Sequence, residues 1–382
     1  MSGRALVLGR GVSGKAAVRL LERQGKEVVV LDGDDPFPAG AFDFAVVSPG
    51  IALSHPWLRE CASRGIEALS ELQLGCTELK RQGWRLLAVT GSKGKSSVVK
   101  IVAEAICASA AQAVACGNYG RAVCDVALGG GCGWAVVEVS SFQLETTKLP
   151  PDTFEAAAVL NLQEDHLDRH ASKEVYHALK NSLLTMSKLR FREGDGSELA
   201  ALLKDSYFDN EVLRPNGAIA ALLMRAAGLG DDRIKQAFGG FSPLPHRMNL
   251  ILERAGVRYV DDSKATSLAA LAAALRMTGS HVRLIAGGLA KGDDVRSVLS
   301  DLTKRVKKVY LIGRCAEVFC RAWSESVDCE ICVDMERAVA NAKREARPGD
   351  TVLLSPGCAS YDQFENFGQR GEVFARFVKK EG

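Results

Sequence analysis

Short apolar runs alternate along this chain with longer segments whose apolar residues recur every three or four positions. Residues 5–9 (ALVLG) have strand character, and after a glycine turn KAAVRLLERQG (15–25) has helical spacing and stops at Gly25. EVVVLD (27–32) and FAVVSPG (44–50) continue the alternation. A second set begins near Arg85, with RLLAVTG as a strand, GSKGKSS as a loop and SVVKIVAEAICASA as a helix. AVVEVSSFQLE (135–145) reads as a strand with Glu138 near its end, and AAAVLNLQEDHLDRH (156–170) as a strand running into a polar stretch. A third set begins near Leu244: VRYVDDS, HVRLIAGG, KVYLIG and DTVLLSPG are strands, SLAALAAALRM and MERAVANAKREA helices. Strands separated by helices predict parallel sheets covered by helices, an α/β protein. The breaks divide it into domains at 1–84, 85–243 and 244–382.

The first turn, Gly9-Arg10-Gly11-Val12-Ser13-Gly14, is a G-x-G-x-x-G between a strand and a helix, and Asp32 closes the next strand. In such a turn backbone amides and a helix N-terminus receive a pyrophosphate while the acid meets a ribose hydroxyl. On its own the pattern fits NAD, a UDP-sugar or another nucleotide diphosphate, or a ligand-free tight turn. The second turn, Gly91-Ser92-Lys93-Gly94-Lys95-Ser96-Ser97, departs from the common phosphate loop because Val89 stands where its first glycine would be. It keeps the chemistry: small residues that let N–H groups surround phosphates, a lysine that reaches them, and a hydroxyl for Mg²⁺. A bare helix start has little use for two lysines there, so this loop predicts nucleoside triphosphate binding. Glu138 sits at the ligand side of a parallel sheet and is a credible Mg²⁺ ligand. His166, in the run with Asp165 and Asp168, is an unusual one, since Mg²⁺ prefers oxygen.

Composition narrows the classes. Hydrophobic residues make up 47% and charged residues 25%, as in soluble globular proteins, and a net charge of +3 with dispersed basic residues offers no nucleic-acid surface. No apolar run is long enough to insert in a membrane, and MSGRALVLGRG enters a strand directly rather than a signal-peptide core, which points to the cytoplasm. The eleven cysteines are scattered through apolar segments and read as reduced thiols. Cys329–Cys332, the one C-x-x-C, has no second pair and no nearby histidine and reads as part of a buried strand.

With GSKGKSS, VVEVSSFQLETT, LNLQEDHLDRH, PLPHR, DDSKATS and LLSPGCASYDQFENFGQRGEVFA in this order, nearly the whole chain resembles the Mur ligase family. The SSFQLE and SPGCASYDQFENFGQRG segments point to members that join D-glutamate to UDP-N-acetylmuramoyl-L-alanine. The resemblance implies a Rossmann-like UDP-binding domain, a central P-loop-type ATPase and a Rossmann-like C-terminal domain for the amino acid, in a cytoplasmic monomer. It assigns Gly11, Val12, Ser13, Ser48, Pro49, Gly50, Asn118 and Ser140 to the UDP-substrate. Gly91 to Ser97, Asn216, Arg247 and Asp262 fall to ATP. Lys95, Glu138, His166 and Lys180 become catalytic, with Ser96, Glu138, His166 and a carbamylated Lys180 around two Mg²⁺ ions. Lys264, Thr266, Lys291, Ser360 and Phe367 surround D-glutamate, with Lys291 matched to its side-chain carboxylate; His246 lies in the same motifs. The implied chemistry is an acyl phosphate attacked by an amine, with the C-terminal domain swinging to exclude water.

Two departures stand out. Family members carry more chain between Lys180 and Asn216 than the charged SKLRFREGDGSELAALLKDSYFDNEVLRP, which implies a shortened edge of the central sheet and a more open site. DGDD (32–35) replaces a Thr-Arg pair at the nucleotide, an acidic cluster poorly suited to a diphosphate. The rival readings are a folylpolyglutamate-type ligase, a non-catalytic nucleotide-binding relative, and, weakest, a nicotinamide dehydrogenase.

Overall fold

The computed structural model describes residues 3–163, 169–290 and 292–380. It contains three sheets in chain order, each built by strand–helix alternation. The first has order β2-β1-β3-β4, from β1 (Arg4–Leu8), β2 (Glu27–Leu31), β3 (Phe44–Val47) and β4 (Glu67–Ser70), all parallel. The second has order β6-β7-β5-β8-β9, from β5 (Arg85–Thr90), β6 (Ala113–Gly117), β7 (Trp134–Glu138), β8 (Phe154–Val159) and β9 (Ser187–Arg192), again all parallel. The third has order β10-β11-β15-β12-β13-β14, from β10 (Asn249–Arg254), β11 (Val257–Asp261), β12 (Val282–Gly287), β13 (Val306–Ile312), β14 (Asp328–Val333) and β15 (Thr351–Leu354); only the β10–β11 pair is antiparallel.

The chain forms two compact units, residues 1–209 with 213–241, and residues 210–212 with 242–382. In the first unit one apolar cluster runs from Ala16 and Leu20 of helix Val12–Arg23, through Leu72, Cys76 and Leu79 of helix Glu71–Arg81, to Leu86, Ala135 and Val137 of the second sheet. That shared core unites the first two sheets. Arg19 reinforces it with an ion pair to Asp125 at 2.6 Å, and Arg23 donates to the Leu128 carbonyl. In the second unit both sheet faces are covered: Leu284, Leu311, Phe319 and Trp323 pack on one, Ile285, Tyr310, Ile312 and Phe374 on the other.

Between Lys180 and Asn216 the chain forms β9, a 3₁₀ stretch (Ser197–Leu203) and the start of helix Arg214–Ala226. β9 is the last strand of its sheet, so the sheet ends one strand beyond β8. The segment holding the C-x-x-C is a strand, β14, but it lies at the sheet edge rather than buried on both faces. Three residues apart on a strand, Cys329 and Cys332 fall on opposite faces and join different apolar clusters, so they cannot chelate one ion together. No helix among the described residues is long and apolar enough to cross a membrane.

Candidate active site

The phosphate loop links β5 to helix Lys95–Ala108 at the C-terminal edge of a parallel sheet, where side chains and N–H groups are free to meet ligands. Gly94 has φ 86° and ends the loop; a Cβ there would come within 2.2 Å of the Asn216 amide nitrogen. The positive φ at this position is one that L side chains rarely adopt, which favours glycine where the loop meets Asn216. The Lys95 ammonium donates to the carbonyls of Gly91 (2.8 Å) and Ser92 (3.0 Å). Lys180, on helix Lys173–Ser182 and only 2% exposed, donates to the same Gly91 carbonyl at 3.0 Å and to Thr90 Oγ1 at 3.3 Å. Two ammonium groups thus meet at one carbonyl oxygen at the head of the loop, with Lys93 exposed on its flank and Ser96 half-buried at the helix start.

Glu138 is the last residue of β7 and almost fully buried. Its Oε1 accepts from Asn118 Nδ2 at 2.7 Å, and the Asn118 backbone N–H donates to the Glu138 carbonyl at 2.9 Å. Its Oε2 is buried without a hydrogen-bond partner among the described residues. A buried carboxylate oxygen left unpaired is costly, and a hard cation is the partner its chemistry suits. The Glu138 carboxylate and the Ser96 hydroxyl at the start of the loop's helix are oxygen donors of the kind Mg²⁺ prefers. His166 and its neighbours Asp165 and Asp168 lie outside the described residues, as does Lys291.

Several residues that motif reading passed over hold this loop. Asn161, just after β8, accepts from the Lys93 N–H and donates to the Lys93 carbonyl, both at 2.9 Å, and reaches Asn216 Oδ1 at 3.4 Å. Ser92 Oγ sits 3.0 Å from the Tyr176 hydroxyl and accepts from the Gln163 N–H at 2.9 Å. Asn216, separated from Lys180 by the short segment, is buried beside Gly94. Asn161 was detectable in principle, since a polar side chain directly after a buried strand must find backbone partners.

At the first turn, Gly14 packs so closely that a Cβ would lie 1.9 Å from the Gly9 carbonyl. The Ser48 hydroxyl donates to that carbonyl at 3.2 Å, while Val12 is 76% exposed and Gly11 and Ser13 flank it. Asp32 accepts from the Arg10 N–H at 3.1 Å, and Asp35 accepts from the Asp32 N–H at 3.0 Å. Both acids accept from backbone donors and so help to shape this turn. Ser140 caps the short helix Ser141–Leu144 in a reciprocal box with Gln143.

In the second unit, the PHR and DSKAT motifs meet. His246 has φ 59° and its Nδ1 lies 2.7 Å from Asp261 Oδ2. Arg247 Nε is buried without a hydrogen-bond partner among the described residues. Asp262 accepts from the Met248 N–H at 3.3 Å and from the Ser355 hydroxyl at 3.0 Å. The Lys264 ammonium lies 5.2 Å from the Phe367 ring centroid, Thr266 is half-buried, and Ser360 is buried in the loop after β15. Arg370, fully buried, donates to Ser263 Oγ, the Ser263 carbonyl and the Cys358 carbonyl, joining the two loops that carry these residues.

Burial pushes the Asp262 carboxyl up to about 7, with Asp261 adding to the rise and the Ser355 hydroxyl, the Met248 N–H and Arg247 opposing it. The folded value lies above the ordinary carboxyl value of about 4, so between these limits the folded unit keeps a proton that the unfolded chain releases. Stability of the second unit should therefore fall as pH rises from about 4 to 7 and level off above, and Asp262→Asn should flatten that slope. Urea midpoints measured across this range check it; an equal slope in the variant would assign the effect elsewhere.

Known proteins match along the same lines. Residues 89–192 match the Mur ligase middle domain and residues 246–358 the Mur ligase glutamate ligase domain. A UDP-N-acetylmuramoylalanine–D-glutamate ligase of Chlamydia abortus is 34% identical over 411 positions, covering 98% of this chain and 97% of its own. That of Rubrobacter xylanophilus is 36% identical over 458 positions, covering 98% of each. Alignments longer than this 382-residue chain mean that the relatives carry residues it lacks. The MurF ligase of Thermotoga maritima in complex with ADP superposes with a TM-score of 0.59 at 15% identity, covering 100% of this chain and 96% of that one, and the UDP-N-acetylmuramate-alanine ligase MurC of the same organism with 0.58 at 12%, covering 98% of each; both show the fold. Matched in both domains and along nearly its full length, the chain belongs to the Mur ligase family.

Proposed function

We propose that this protein is an ATP-dependent ligase that joins D-glutamate to UDP-N-acetylmuramoyl-L-alanine through an acyl phosphate, in the cytoplasm, as a step in peptidoglycan precursor synthesis. The observation that carries this reading is the meeting of Lys95 and Lys180 on the Gly91 carbonyl, in a chain whose full-length relatives at 34–36% identity bear that activity in their names. Lys95 moves its ammonium from the loop carbonyls to the β- and γ-phosphates, while the loop N–H groups receive the rest of the polyphosphate. Ser96 and Glu138 would hold one Mg²⁺ and His166 and a carbamylated Lys180 a second, and these ions would supply charge neutralisation between a triphosphate and a carboxylate that otherwise repel. Asn118 fixes the Glu138 carboxylate so that its second oxygen stays aimed away from the amide.

The alanine carboxylate takes the γ-phosphoryl group and ADP is released. The D-glutamate amine then attacks the carbonyl carbon, loses a proton, and phosphate departs to leave an amide. The protein's share of this is placement and electrostatics, since neither step needs a protein nucleophile. In the first unit, the turns at Gly11–Ser13 and Ser48–Gly50, with Asn118 and Ser140, position the UDP-substrate. In the second, Lys264, Thr266, Lys291, Ser360 and Phe367 receive the amino acid, Lys291 favouring an acidic side chain over a neutral one. Asn216, Arg247 and Asp262 contact ATP.

An amino-acid panel tests the reading. With UDP-N-acetylmuramoyl-L-alanine and Mg-ATP present, phosphate release should require D-glutamate and stay at background with L-glutamate, L-lysine or diaminopimelate. Release that follows L-glutamate with a folate acceptor instead would move the protein to the folylpolyglutamate type.

A further inference from the structure

Arg169 lies on the turn before helix Lys173–Ser182, and the activity set out above gives it no role. Its guanidinium donates to three consecutive carbonyls of the loop after β3: Pro49 (3.3 Å), Gly50 (3.3 Å) and Ile51 (2.8 Å). The same group grips Glu145, from Nη2 at 2.5 Å to Oε2 and from Nε at 3.2 Å to Oε1, and lies 5.0 Å from the Phe142 ring centroid. Both partners are largely buried, with side-chain exposures of 17% for Arg169 and 8% for Glu145. His170 completes the cluster: its Nε2 is 3.0 Å from Ser141 Oγ and its Nδ1 3.6 Å from Glu145 Oε1.

A planar guanidinium presents five donors in a fixed fork, and here that fork is shared between one carboxylate and a run of backbone oxygens. Holding these carbonyls has a consequence on the far side of the loop. In a trans peptide the C=O and the following N–H point in opposite directions, so drawing the Pro49 and Ile51 carbonyls toward Arg169 turns the N–H groups of Gly50 and Ala52 away from it. N–H groups aligned in this way on a tight turn favour an anion. A neutral side chain could not impose that alignment, and a lysine, a point charge on a flexible stem, would satisfy only part of it.

We propose that Arg169, anchored by Glu145, is a positioning residue that holds the Ser48–Ile51 loop in the shape that receives the diphosphate of the UDP-linked substrate. The inference rests on the proposed ligase reading, because that reading supplies the anion. It goes further by assigning substrate-loop geometry to a residue of the central sheet's own connection. One buried ion pair thereby ties the loop that meets the UDP-substrate to the turn that leads into the Lys180 helix.

The test is steady-state kinetics of the full-length enzyme, with wild type, Arg169→Ala, Arg169→Lys and Glu145→Gln measured side by side and thermal midpoints recorded for each. Arg169→Ala should raise KM for UDP-N-acetylmuramoyl-L-alanine by roughly tenfold or more while KM for ATP stays within about twofold, and added guanidinium ion should recover part of the loss. Arg169→Lys should fall between, and Glu145→Gln, nearly isosteric, should shift the same KM in the same direction if Arg169→Ala does not fold. Unchanged KM for the UDP-substrate in all variants would falsify the proposal. So would a parallel decline of kcat and both KM values that tracks a lowered thermal midpoint and ignores guanidinium, since that is the signature of general loosening. A folded wild type that does not turn over at all would instead sink the ligase reading, and this role with it.

Discussion

Replacement of Lys95 by alanine is expected to lower ligase turnover by roughly a thousandfold, the scale set by removing one preorganised charge from a developing-charge site. The lysine opens helix Lys95–Ala108, and its ammonium lies against the Gly91 and Ser92 carbonyls. A polyphosphate entering there offers it ionised oxygens, so binding adds direct charge pairing to the hydrogen bonds the ammonium makes. The side chain is only half-buried, so its loss should cost little folding stability. Arginine should not restore full activity, because a rigid planar fork does not replace a compact point charge on a flexible stem. Product formation at saturating substrates, read together with Mg-ATP affinity by calorimetry, checks this; turnover near the wild-type value would remove Lys95 from the chemistry.

The second large effect is expected at Lys180. A lysine that is 2% exposed and shares a carbonyl with another lysine brings two cations together at the head of the phosphate loop. Beside a bound Mg²⁺ an ammonium is repulsive as well. Carbamylation replaces a +1 charge by −1, adds two oxygen ligands and still leaves one N–H to donate to Gly91. Lys180→Ala should therefore reduce turnover by roughly a hundredfold or more, and millimolar acetate or formate should restore part of it by placing a carboxylate in the vacated space. Labelled bicarbonate should give a carbamate carbon resonance in wild type that disappears in the variant. Full activity in Lys180→Ala without added acid would show that the residue is structural.

Much of this arrangement was legible in the chain because apolar periodicity and glycine turns coincide. β1, β5, β7, β8 and β12 were readable as strands, and the loops after β1 and β5 sit where their glycines predict. β9 was not, for a physical reason: Ser187–Arg192 is SKLRFR, an edge strand whose one buried face supplies only sparse apolar residues. β14 misled in the opposite direction, since apolar residues around two cysteines read as buried although the strand lies at an edge. The position of Asn161 after a strand hints at backbone partners but does not name them, and Arg169 carries no such hint. Their importance comes from backbone groups of segments about 70 and 120 residues away, Lys93 at one and Pro49 to Ile51 at the other, which only the folded chain brings to them. The joining of the first two sheets in one compact unit was hidden for the same reason: Ala16, Leu20 and Leu72 look like ordinary amphipathic-helix residues until the partner surface is known.

The acidic stretch after β2 gives a related lesson. Read as formal charge, Asp32 and Asp35 oppose a nucleotide diphosphate; in the fold they cap the N–H groups of Arg10 and of Asp32 itself and shape the turn. Carboxylates that accept from backbone donors shape a turn as well as carrying charge, a role that a charge count does not show.

The account stands on one transfer, from a polyphosphate gripped by Gly91–Ser97 to the carboxylate of a UDP-linked muramoyl-alanine, followed by amide formation. Incubating the protein with UDP-N-acetylmuramoyl-L-alanine, Mg-ATP and labelled D-glutamate, and following label and phosphate together, measures it directly. The predicted result is label appearing in a UDP-linked product with one phosphate released per amide formed, and none when any one of the three substrates is left out. Folded protein that binds the nucleotide yet leaves all the label in free D-glutamate would contradict it.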